Sequence, residues 1–123
     1  MEAVLRRVLS AVLGREAYVE DSVSGETTDS YADALDFDAR GYKYTTIILK
    51  NTHGSNSLNY KTLVRAKYDG NDHTEPSPAQ GTLAAGGTAK IVENVPVARI
   101  KVQVKSASAG NPATYQIDYI AVV

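Results

Sequence analysis

Catalysis or metal binding would have to come from a short set of side chains. The chain holds two histidines, His53 and His73, and no cysteine, so thiolate nucleophiles, thiolate metal sites and disulfides are excluded. Neither histidine has a partner at a ligand-like spacing such as His-x-His, and both lie in polar stretches, where solvated loop residues are expected. The run Asp69-x-Asn71-x-His73-x-Glu75 spaces oxygen donors as a calcium loop begins. It fails at two places: Thr74 stands where a glycine is needed and Gln80 where a bidentate glutamate is needed. Asp36 and Asp38 share one face of a possible strand, but paired carboxylates do acid–base work only in a cleft that shifts their pKa. Here they sit in an acidic stretch beside a turn, and a solvated edge is expected. Gly86-Gly87-Thr88 reads as a hairpin turn, because no helix follows to complete a phosphate cradle, and no Gly-x-Ser-x-Gly elbow occurs. The expectation is a protein that is not an enzyme, with no catalytic residue, no cofactor and no metal.

The elements around these residues indicate an all-β fold. The 123 residues suit one domain, 1–123, large enough to bury a core without covalent staples. The net charge is −1, so no general attraction to nucleic acid or to an anionic membrane is expected. No apolar run approaches the ~20 residues that a membrane-spanning helix needs. The first residues are faintly like a secretory leader, but Arg6-Arg7 splits their apolar stretch, so no signal peptide is expected. Residues 2–13 carry instead a helical stripe of Leu5, Val8, Leu9 and Val12, stopped by Gly14, which makes 1–15 an N-terminal helix. A helix this short is marginal alone in water and must dock its stripe.

Residues 16–40 read as an extended acidic arm with one or two short strands, anchored by Tyr18, Val19, Val23, Tyr31, Leu35 and Phe37. From residue 41 the pattern is β throughout. Lys43–Lys50 is apolar on both faces and suits a central strand. Leu58–Tyr68 alternates, as does Arg99–Lys105, with Ile100, Val102 and Val104 inward. Thr82–Ala84 and Thr88–Val95 are short strands around Gly86-Gly87. The closing stretch Thr114–Val123 turns Tyr115, Ile117 and Tyr119 inward, and its apolar end requires pairing within a sheet. The fold class is an antiparallel β-sandwich, jelly-roll-like, of about seven to eight strands.

Charge is laid out in blocks. Residues 16–38 hold eight acids and no Lys or Arg, whereas 40–67 hold Arg40, Lys43, Lys50, Lys61, Arg65 and Lys67 and no acid. Arg99, Lys101 and Lys105 add a basic strand face. The arm can cover its own sheet or a neighbour's. The second option makes Leu5, Val8, Leu9 and Val12, with Glu20 and Asp21 meeting Arg99, Lys101 and Lys105, the candidate oligomer interface. Deleting residues 1–38 is then expected to leave a folded, monomeric β domain. The eight tyrosines could form carbohydrate platforms, but there is no Trp, and Tyr60, Tyr115 and Tyr119 fall on inward faces.

Several stretches together resemble small β-sandwich proteins of phage and virus particles, such as head-decoration, tail or fibre-associated subunits. They are Leu35-Asp36-Phe37-Asp38-Ala39-Arg40-Gly41-Tyr42 leading into Thr46–Leu49, then Ala98–Ser106 with Ala109-Gly110-Asn111, and Tyr115–Tyr119. The resemblance implies a structural subunit located in the virion and made in the host cytoplasm. Its partners would be itself, as a homo-oligomer such as a trimer, and a larger shell or tail. It assigns no functional residue. The alternative is a sandwich module that binds carbohydrate or another surface ligand.

Overall fold

The computed structural model describes residues 17–123, which form two antiparallel sheets and no helix. The expected N-terminal helix, with Leu5, Val8, Leu9 and Val12, lies outside the described residues. Nine strands follow in chain order: β1 Tyr18–Glu26, β2 Ala32–Asp38, β3 Tyr44–Asn51, β4 Leu58–Arg65, β5 His73–Thr74, β6 Gln80–Leu83, β7 Thr88–Glu93, β8 Arg99–Ser106 and β9 Thr114–Val122. One sheet has the order β1-β9-β3-β7. In the other, β2, β8 and β4 run side by side, and the far edge of β4 is shared by β6 and β5. Among the described residues no helix is long and apolar enough to cross a membrane.

Alternation fixes which face of each strand is buried. Ile47 and Leu49 of β3, Ala89 and Ile91 of β7, and Ile117 of β9 point inward from the first sheet. Ile100, Val102 and Val104 of β8, with Leu58 and Tyr60 of β4, meet them from the second. The strand read as central is central: β3 lies between β9 and β7. The apolar C-terminus is paired on both sides, by β1 and β3.

Two buried polar residues tie the layers together. Asn51, fully buried at the end of β3, donates from Nδ2 to the carbonyls of Asn56 at 2.8 Å and Leu83 at 3.1 Å, and its Oδ1 accepts the His53 N–H at 2.9 Å. Leu83 belongs to the opposite sheet, so this one amide links the two. Thr27 marks the corner where the chain leaves β1 for β2. Its hydroxyl lies 2.9 Å from the Ser106 hydroxyl and accepts the Ala113 N–H at 2.9 Å.

The largest departure from the sequence reading concerns the acidic segment. Residues 17–40 are not an arm apart from the sandwich. β1 is an edge strand of the first sheet, paired with β9 from Tyr18 opposite Val122 to Glu26 opposite Thr114. β2 is an edge strand of the second, paired with β8. Sparse apolar anchors are what a strand with one wet face shows, and Leu35 is buried with the core while Val23 and Phe37 pack against it. Gly25 has a further role: a Cβ there would come within 2.6 Å of the Tyr115 hydroxyl, so the missing side chain lets that ring lie across β1.

Candidate functional site

Three regions of the surface could do something, and strand parity builds each one.

The outer face of the second sheet is a charge ladder closed on itself. Arg99 of β8 grips Asp36 of β2 through two of its guanidinium nitrogens, Nε donating to Oδ1 at 2.6 Å and Nη2 to Oδ2. Asp72, just before β5, accepts Arg65 Nε at 2.6 Å and lies 3.6 Å from Lys101 Nζ. These hydrogen bonds hold both Asp36 and Asp72 below the usual carboxylate range, chiefly through Arg99 and Arg65 respectively. Asp38 pairs with Arg40, and Gln103 Nε2 donates to Asp33 at 2.9 Å. Two exposed tyrosines cap the ladder's ends. Tyr68 lies under Arg40 at 3.9 Å and Arg99 at 5.2 Å, and Tyr31 under Lys61 at 4.3 Å and Lys105 at 5.5 Å.

Within one chain the residues expected at the interface between copies fall on different sheets. Glu20 and Asp21 sit on β1 in the other sheet and do not meet Arg99, Lys101 or Lys105. The acids that meet β8 within the chain are Asp33 and Asp36 of its neighbour β2, together with Asp72. Complementary blocks in the sequence are largely satisfied in the fold by a strand lying beside its basic partner. The candidate calcium loop is likewise occupied, Asp72 by Arg65 and Lys101, and Asp69 by Lys67 at 3.4 Å. The histidines are apart. His73 is exposed in β5, while His53 Nδ1 accepts the N–H groups of Ser55 at 3.1 Å and Asn56 at 2.9 Å and so shapes its own loop.

The second region is a cleft of about 340 Å³ between the segment Glu75–Ala79 and the segment Lys90–Val95. Glu93 is buried at its wall. Loss of hydration, then the charge and hydrogen bond of Glu75, push its carboxyl up to about 7. The pair can hold a proton near neutral pH. No group of three or more potential metal-ligating residues occurs among the described residues. Parity exposes the signal that sequence reasoning passed over, since Glu93 continues the inward series Ala89, Ile91.

The third region is the outer face of the first sheet, which is apolar at its Tyr44 and Val122 end and polar at the other, where Lys50, Thr88 and Gln116 stand. Tyr44 and Val122 are cross-strand partners, as are Ile120 and Thr46, and Thr46 and Val92. Ile48 lies beside Lys90 and Asp118. Val92 is 52 % exposed, Tyr44 45 % and Ile120 39 %. Glu20 is opposite Ile120 at the β1 edge, and together with Thr46, Ile48 and Asp118 they line a shallow depression. β3 and the end of β9 are apolar on both sides although only one side is buried in this chain.

No protein-family model matches the chain, and no characterised protein matches it by sequence. Solved structures match it in fold. The pre-peptidase C-terminal domain of a collagenase from Bacillus anthracis superposes with a TM-score of 0.55 at 16% identity, over 82% of this chain and 89% of that one. Bacillus endospore appendages, described as disulfide-linked pili, give 0.52 at 13% identity, over 90% and 93%. A chain of infectious bursal disease virus gives 0.51 at 11% identity, over 88% of this chain and 33% of the viral one. The likeness is of fold, an antiparallel β-sandwich that viral, pilus and enzyme-associated proteins share, and the resemblance to particle proteins is a loose one.

Proposed function

We propose that this chain is a non-enzymatic structural subunit of a virus or phage particle, a capsid-decoration or tail accessory protein that self-associates and docks on a larger assembly. The observation that carries the reading is the exposed apolar patch of Tyr44, Ile120 and Val92 on the outer face of the β1-β9-β3-β7 sheet. An antiparallel sheet with one buried face normally turns a polar face to water, and contiguous exposed apolar surface marks interaction sites. Fold likeness to a viral chain and to a pilus subunit supports the reading and selects neither. The pili are described as disulfide-linked; with no cysteine, this chain would assemble without such bonds. Peptide mass spectrometry of purified particles from the source host tests the location. The chain is expected there in stoichiometric amount, and its absence from intact particles would remove the virion reading.

A second reading, a surface-ligand module, is favoured by one feature: Tyr31 and Tyr68, each 37 % exposed, stacked with cations on the opposite sheet. Such a surface would take an anionic saccharide. A glycan array probed with the chain would show specific binding, abolished by Tyr31→Ala, if this reading holds.

A further inference from the structure

The outer face of the first sheet is divided by charge along its strands. Parity turns Glu20 and Glu26 of β1 and Asp118 of β9 outward, and no outward position of either strand carries a Lys or Arg. On β3 and β7 the same rule turns Lys50 and Lys90 outward, and no acid. The acidic half therefore lies along β1 and β9 and the basic half along β3 and β7, with the boundary between the two central strands. The patch of Ile120, Tyr44 and Val92 straddles that boundary.

These charges are unanswered within the chain. On the second sheet Asp36 and Asp72 are taken up by arginines. Among the described residues, by contrast, Glu20, Glu26, Lys50 and Lys90 make no ion pair and no side-chain hydrogen bond. Asp118 meets only the neutral donors Ser22 and Gln116.

We propose that this face is the contact between two copies of the chain, related by a two-fold axis that runs along the strands between β9 and β3. The proposal rests on the self-association reading and names the surface and symmetry that perform it. Such an axis lies in the plane of contact. It keeps each residue at its own height along the strands and exchanges the two sides of the sheet. The basic half of each copy then lies over the acidic half of the other. Glu20, Ile120, Thr46 and Val92 form one row across the sheet, and Ser22, Asp118, Ile48 and Lys90 the next. Glu20 of one copy therefore comes against Val92 and beside Lys90 of the second. Ile120 meets Thr46 and Val122 meets Tyr44, so the apolar end is covered by its own counterpart.

Charge selects this axis. A two-fold across the strands would set acid on acid and lysine on lysine, and like charges placed opposite each other disfavour a contact. Every contact of the chosen pairing occurs twice, as in any isologous interface. Sheets packed face to face keep their strands within about 30° of one another. The rows nearest the axis thus keep their pairing, and the long charged side chains span the rest. The face carries its own complement, whereas a partner without the same division would leave one half unanswered.

The test uses the full chain at 0.1 M salt and reads its dimer Kd by sedimentation velocity. Glu20→Lys and Lys90→Glu each place like charges together twice per dimer, and each is expected to weaken association by about tenfold or more. Both substitutions in one chain restore opposite charges across the axis and are expected to return Kd to near the wild-type value. An equimolar mixture of the two single variants is expected to give a heterodimer tighter than either homodimer. Compensation inside one copy does not explain such a rescue. Glu20 and Lys90 stand on opposite edge strands, ~14 Å apart across the sheet, beyond a Debye length of ~10 Å at that salt. Both are exposed, so the sandwich persists, as circular dichroism melts would verify. Single variants that associate as tightly as wild type would place the contact on another surface and overturn the proposal, leaving self-association standing. Weakened variants that neither the swap nor the mixture rescues would put the face in the contact without the two-fold and also overturn it. A monomeric wild type would overturn self-association itself, and the two-fold contact with it.

Discussion

Asn51 shows how one side chain can hold two layers in place. Its amide satisfies two carbonyls and one N–H that would otherwise be buried without partners, and one of them belongs to the opposite sheet. Asn51→Leu keeps the branched shape and removes all three bonds. A buried group left unpaired costs about 1–3 kcal/mol, so a loss of roughly 2–3 kcal/mol is expected, read as a melting temperature lower by about 10 °C. A drop below about 2 °C would show that the corner is held by something else. Glu93 makes a pH-dependent contribution of definite sign. Its carboxyl holds its proton up to about pH 7 in the fold, against 4.5 for the free side chain. The folded state therefore binds more protons between those values, and stability falls as pH rises from 4.5 through 7. Asp36, held low by Arg99, acts with the opposite sign and below about pH 3.8, outside that window. Glu93→Gln should flatten the profile between pH 5 and 8 and raise the melting temperature at pH 8 relative to wild type. An unchanged slope in thermal melts across that range would contradict the assignment.

At the scale of elements, the edge strands decide what can be removed. β2 contributes Leu35 to the core and Phe37 against it, and β1 covers one edge of β9 along nine paired positions. Deleting residues 1–38 should therefore abolish cooperative thermal unfolding, whereas deleting 1–16 should leave it intact with the β signal unchanged. A cooperative transition in the longer deletion would mean that the sandwich closes without β1 and β2. The contrast locates what was legible in the sequence. The strands β3, β4, β8 and β9 announced themselves through alternation or through β-branched runs, and their inward faces are those the pattern implies. β1 and β2 were legible only as one or two short strands in an arm, because an edge strand whose outer face is wet needs only a few apolar anchors, and acidic composition masks them. β5 is two residues long, too short for any periodicity. The acidic block signalled complementarity correctly, but only the register of β2 against β8 shows that Asp33 and Asp36 meet that demand within the chain. The apolar outer face was visible as the two-sided hydrophobicity of β3 and of Ile120–Val123; what it lacked was knowledge of which side the core takes.

The molecule as a whole presents two unlike surfaces on one sandwich, a charge-balanced sheet and a sheet with an exposed apolar patch. The charge-balanced side leaves little for a cation to take. Asp72 is shared by Arg65 and Lys101, and Asp69 is paired with Lys67. Calcium, zinc or EDTA should leave the melting temperature unchanged. A ligand bound only by the native state at 100 times its Kd adds ~2.7 kcal/mol, a shift of several degrees that scanning calorimetry would resolve, and such a shift would reinstate Asp69–Glu75 as a site. In the proposed association, burial of the apolar patch would supply affinity that salt does not screen, and charged residues at its edge would set register. The central claim is that this chain works by associating with copies of itself. Native mass spectrometry of the full-length protein at high micromolar concentration tests it most directly: a discrete closed oligomer, weakened only in part by salt, is predicted, and a monomer under those conditions would contradict it.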